Sequence, residues 1–153
     1  MVEQETVWIS IPALVINVIF GRIQDVRLSD FEQQKYCPTS RACSSLDAWY
    51  QSVREIPLDQ LGVGDICRAL RQDLYVREVL PVAIAFFEDD VLAGDRYDGE
   101  LLYALVDLSE VYWRENADAS RKARLALAID ISGLDFELSK CAFALIKTLE
   151  SVS

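Results

Sequence analysis

A chain of 153 residues, 52% of them apolar, has the size and composition of one folded domain with one core and lies well outside the disordered range. Its 25 acids against 15 bases give a net charge of −10, which repels nucleic acid and anionic membranes and attracts basic partners. Histidine is absent, and with it go the His-dependent triads, the commonest general base and the commonest zinc ligand.

The first 27 residues are rich in Val and Ile. Within them "VWISIPALVINVIFG", 7–21, is apolar but shorter than the ~20 residues a membrane span needs, and Ser10, Pro12 and Asn17 interrupt it. Acids precede it and no small-residue cleavage site follows, so it reads as core rather than as a signal peptide or an anchor. A short β element with a turn near Gly21 is the expectation; a helix from Pro12 is the alternative. "QQKYCPTSRACSS", 33–45, is polar and small and reads as a loop. Cys37, Cys43, Cys67 and Cys141 form no Cys-x-x-Cys pair, so free thiols in a reducing cytosol are expected.

From Leu46 onward apolar spacing predicts helices over 46–55, 63–73, 76–89, 98–107, 119–130 and 134–150. Leu46, Trp49, Tyr50 and Val53 make the first stripe, behind a serine cap. The 76–89 segment is apolar nearly all round, which suits a central helix. Pro81 should kink it or mark its start. Asp98 is placed to cap the fourth helix, and Ser132 with Asp135 to open the last as a capping box. Tyr112 and Trp113 lie in a short unassigned segment. The fold class is therefore mainly α: a single domain, 1–153, of about six helices, with residues 1–27 packed on the helical body.

The chemistry of the chain turns on "FEDDVLAGDRYDGELL", 87–102, with six carboxylates and one base. As an EF-hand it fails. Starting at Asp89 puts Val91 third and Ala93 fifth, and starting at Gly94 loses the first ligand. A dinuclear carboxylate site wants Glu-x-x-His pairs. There is no nucleophile elbow, P-loop or dinucleotide fingerprint. No catalytic residue, cofactor or structural metal is expected. The imbalance extends from Glu88 to Asp118, with ten acids, two bases, and Tyr97, Tyr103, Tyr112 and Trp113 interspersed. Aromatics supply anchors and acids supply steering, so this mixture suits a protein-binding face. Trp113 fits core packing equally well. Glu88, Asp89 and Asp90 at a helix C-terminus oppose its dipole, unless Arg77 or Arg96 relieves them.

In order and spacing, several segments together resemble immunity proteins of bacterial contact-dependent growth inhibition (CDI) systems. They are Leu28 to Glu32; Arg54, Pro57 and Leu58; Arg68, Leu70, Arg71 and Gln72; and Leu80, Pro81 and Ala83. Gly94, Asp95, Tyr97, Gly99, Leu101 and Leu102 follow, then Tyr112 with Trp113. The likeness spans roughly 28–115. Glu100 stands where Asp is usual, Phe31 where Leu is, and the insert at 35–44 is long. The resemblance implies a small cytoplasmic protein without enzymatic activity, whose partner is the C-terminal domain of a cognate toxin, commonly a nuclease. It would bind neither nucleic acid nor membrane. The candidate toxin-binding residues are Glu88, Asp89, Asp90, Asp95, Tyr97, Glu100, Asp107, Glu110 and Trp113. The alternative is an acidic helical adaptor, or a nucleic-acid mimic, for another basic protein.

Overall fold

A computed structural model describes residues 26–32 and 44–153. The expectations for the apolar N-terminal segment, for most of the 33–45 loop and for Cys37 and Cys43 fall outside these residues. The described part is helical, with seven α-helices and no strand beyond one isolated bridge. The chain divides into two compact units, Met1–Leu61 and Gly62–Ser153.

In the first unit, helix α1 (Ser45–Val53) opens with a capping box. Ser44 Oγ accepts from the Asp47 N–H at 3.1 Å, and the Asp47 carboxylate accepts from the Ser44 N–H at 3.1 Å. A 3₁₀ turn, Leu28–Phe31, precedes α1 and another, Leu58–Gln60, follows it. The two are tied by the Arg27–Pro57 bridge and by the Leu58 N–H donating to the Val26 carbonyl at 2.7 Å. Leu28 and Leu58 are fully buried. Glu32 accepts from the Tyr50 hydroxyl at 2.7 Å and from Arg54 Nε and Nη2 at 3.0 and 2.9 Å. The Leu28–Glu32 and Arg54–Leu58 segments, which share no periodicity in sequence, thus form one knot.

The second unit holds α2 (Val63–Arg71), α3 (Val76–Asp89), α4 (Glu100–Val106), α5 (Glu110–Glu115), α6 (Ala117–Asp130) and α7 (Phe136–Ser151). Helix α3 is central, packing on α2, α4 and α6; α7 closes on α4, α5 and α6. Leu80, Ile84, Phe87, Leu101, Leu102, Leu105, Leu127 and Leu145 fill the core. Pro81 lies inside α3, which begins five residues earlier at Val76. The proline therefore does not mark the start, and it supplies no N–H to the Arg77 carbonyl.

Several ends differ from expectation. Helix α2 stops at Arg71 in a Schellman motif: the Leu74 N–H reaches the Ala69 carbonyl at 3.0 Å and the Asp73 N–H the Leu70 carbonyl at 3.1 Å. Helix α4 starts at Glu100, not at 98. Its N-cap is Gly99, with φ +82°, and no side chain caps it. Asp98 is therefore not a cap. Helix α7 is capped by Asp135 alone, which accepts from the Leu138 N–H at 2.9 Å, while Ser132 belongs to a 3₁₀ turn, Ile131–Gly133. The unassigned Tyr112–Trp113 segment is α5, capped by Ser109. Asn116 then closes α5 and opens α6, accepting from the Ala119 N–H at 3.3 Å.

Candidate functional site

The acidic stretch forms the α3–α4 connection and both flanking helix ends. Its backbone is fixed from inside. Asp90 Oδ1 accepts from the Leu92 N–H at 2.9 Å. The Gly99 and Leu101 N–H groups donate back to the Leu92 and Ala93 carbonyls at 2.8 and 3.1 Å, so loop carbonyls satisfy donors a capping side chain would otherwise take. At Gly94 there is no room for a side chain. An added Cβ would stand 2.1 Å from the Tyr97 carbonyl oxygen and 2.9 Å from the Glu100 Cβ.

Glu100 is the centre of this construction. Its carboxylate is 1% exposed. One oxygen accepts from the Asp95 and Arg96 N–H groups at 2.9 and 3.0 Å, and the other from Arg71 Nη2 at 2.9 Å. Burial alone would raise its pKa. The Arg96 N–H, the Arg71 guanidinium and the Asp95 N–H outweigh that, and the group is held below the ordinary carboxylate value. The adjacent Cys67 thiol is buried and pushed up to about 12, first by burial and then by the Glu100 charge, which makes it an inert core thiol.

Two of the nine expected contact residues thus offer no surface. Glu100 is spent on the loop. Trp113 is 1% exposed and packs in the core, because α5 turns its indole inward rather than to solvent. The other seven are exposed, in three stretches: Glu88, Asp89 and Asp90 at the end of α3; Asp95 and Tyr97 in the loop; Asp107 and Glu110 at the α4–α5 junction. Tyr97 is 49% exposed and meets the Tyr103 ring edge-on at 6.0 Å. The Asp95 side chain lies against Gly64 of α2.

Neither arginine suggested for the α3 C-terminus relieves it by an ion pair. Arg77 is engaged with Glu115, and Glu88 is met instead by Lys122 of α6 at 3.9 Å. Glu110 pairs with Arg114 at 3.0 Å. Asp89, Asp90, Asp95, Asp98 and Asp107 form no ion pair among the described residues, so their charges face solvent uncompensated. Such an array can steer a basic partner. Among the described residues no three potential metal ligands come together, and no helix is long and apolar enough to cross a membrane.

Two features escaped the sequence reading. The Arg71–Glu100 pair had one signal: Glu100 stands four residues before buried Ala104, on the stripe that includes Leu101 and Leu105. The other is an exposed network of Asp73, Arg77, Tyr112 and Glu115. The Tyr112 hydroxyl donates to Asp73 at 2.7 Å, and Arg77 lies 5.3 Å over the Tyr112 ring while bonding the Glu115 carboxylate. These contacts link residues far apart in sequence, and no spacing announces them.

The family model described as CDI immunity proteins matches residues 30–123. No curated protein matches the chain.

Proposed function

From the premise that this chain belongs to the CDI immunity proteins, and so neutralises a cognate CDI toxin by binding it, we propose that the toxin is a nuclease and that the acidic face covers its substrate-binding surface. A nuclease needs a basic groove for phosphate, and a protein of net charge −10 is drawn to such a groove. The observation that carries this reading is the set of five solvent-facing carboxylates on the acidic face, Asp89, Asp90, Asp95, Asp98 and Asp107, left without ion pairs among the described residues. Asp95 and Asp98 lie on a loop locked from within by Glu100 and Gly94, so their charge is presented without further ordering. The protein acts in the cytoplasm, where an incoming toxin meets its substrate, and it acts by occupancy rather than turnover.

The test is co-expression with the toxin domain encoded directly upstream of this chain's gene. A co-purifying complex, protection of the cell, and loss of nucleic-acid cleavage by the toxin in the presence of the complex are expected. A complex with a toxin whose target is not nucleic acid would remove the nuclease part. No complex at all would remove the reading.

A further inference from the structure

The turn between α2 and α3 is built at a cost that its connectivity does not require. Asp73 (φ +56°) and Tyr75 (φ +46°) are the described non-glycine residues in the left-handed region, and only Leu74 separates them. The Schellman bonds that end α2 use backbone groups alone, and glycine is the unstrained residue at the position Asp73 fills. A side chain kept there needs another reason. Its carboxylate accepts the Tyr112 hydroxyl from α5 at 2.7 Å. On the same ring lies the Arg77 guanidinium, itself held by two hydrogen bonds to Glu115. The hydrogen bond from Tyr112 also raises that phenol's pKa, as expected for a proton held by a carboxylate.

All four side chains reach the surface; those of Arg77 and Glu115 are 59% and 44% exposed. Exposed pairs of this kind add little to folding stability. What they do is immobilise a tyrosine and an arginine, residue types that dominate binding energy at protein interfaces and whose ordering normally costs affinity. Local strain held by surrounding contacts is a recurrent mark of clamps and contact sites. The patch also continues into the acidic face, since Asp107 and Glu110 precede Tyr112 on the same junction and helix.

We propose that Asp73, Arg77, Tyr112 and Glu115, gathered from the α2–α3 turn, α3 and α5, form the rigid anchor of the toxin contact. This rests on the immunity reading and adds a division of labour to it. The unpaired acids between Asp89 and Asp107 govern encounter, and the pinned patch governs how long the complex lasts. The partner surface it fits is a polar, basic one, with donors for the Asp73 and Glu115 oxygens and a flat group to lie beside Tyr112 and Arg77.

The experiment measures binding of the purified toxin domain, in catalytically inactive form, to wild type, Asp73→Gly and Tyr112→Phe, together with the melting temperature of each. Asp73→Gly relieves the strain, so its melting temperature should equal or exceed that of wild type. Its complex should dissociate about tenfold faster or more, a difference of 1.4 kcal/mol. Tyr112→Phe keeps the ring under Arg77 and should also dissociate faster, which keeps the test valid if the glycine variant folds poorly. A wild-type complex unaffected by both variants overturns the inference alone. So does an Asp73→Gly protein that melts lower yet binds as tightly as wild type, which would assign the link to the fold. Failure of wild type itself to bind overturns the parent reading, and this inference with it.

Discussion

Replacing Glu100 with glutamine removes one charge from the centre of the acidic connection and leaves its shape almost unchanged. The native carboxylate accepts three hydrogen bonds, two from backbone N–H groups and one from Arg71. An amide can accept at only one end. Turned so that its oxygen serves Asp95 and Arg96, it sets its NH₂ against the Arg71 guanidinium; turned the other way, it sets that NH₂ against two backbone donors. The first arrangement loses least: one charge-assisted bond is broken and two become neutral, a loss of about 3–4 kcal/mol. Arg71 returns part of this, because its side chain is 32% exposed and can turn to water. The net expectation is about 2–3 kcal/mol, or a fall of roughly 5–10 °C in melting temperature for a protein of this size. Urea unfolding followed by circular dichroism gives the value directly. The acid limb supplies a second reading. The folded pKa of Glu100 lies below the ordinary value of 4.5. Its stabilisation is therefore complete above about pH 4.5 and is lost as pH falls through the folded pKa, so the gap between wild type and Glu100→Gln should narrow in acid. A variant within about 0.5 kcal/mol of wild type at pH 7 would refute the view that this carboxylate holds the connection together.

Three further outcomes follow from the same geometry. Gly94→Ala drives a methyl into the Tyr97 carbonyl and should lose roughly 2–3 kcal/mol, measured by thermal melting. Asp98→Ala should change stability by less than about 0.5 kcal/mol, because Asp98 caps nothing; a loss near 1 kcal/mol in the same melt would restore the capping role. Reversing Asp89, Asp98 and Asp107 to Lys should slow association with the toxin domain about tenfold or more at low salt and flatten its salt dependence, with dissociation little changed. Equal association rates for variant and wild type at low and high salt, by stopped flow, would mean that these acids do not steer.

Apolar spacing located α1 to α4, α6 and α7 to within a few residues, because each buries a stripe that repeats every turn. It passed over α5, whose six residues are too few to show a period and whose one buried side chain is Trp113. Capping rules succeeded at Ser44, and at α7 they chose Ser132 with Asp135 as its partner, whereas Asp135 is itself the cap and Ser132 lies in the preceding turn. They failed at Asp98, where carbonyls of the preceding loop had already taken the donors. Counting charges found the acidic face but could not divide it. Glu100 and Asp98 differ by two positions and by nothing in composition, yet one is buried as a structural acceptor and the other is exposed. The Asp73–Tyr112 link spans 39 residues and depends on a strained turn that only the folded backbone reveals.

Pro81 has a consequence for how α3 opens. Without an N–H at position 81, the Arg77 carbonyl has no helical donor, and the first turn is joined to the remainder of the helix by one bond fewer than an unbroken helix would supply. The Glu78 and Val79 N–H groups close on the Tyr75 carbonyl, inside the turn itself. Burial makes up for the missing bond: Val76, Val79 and Leu80 on this turn are buried, so it stays closed on the same core as Val82 to Phe87. Arg77 rides on that turn, so apolar side chains on its inner face hold the guanidinium over Tyr112 on its outer one.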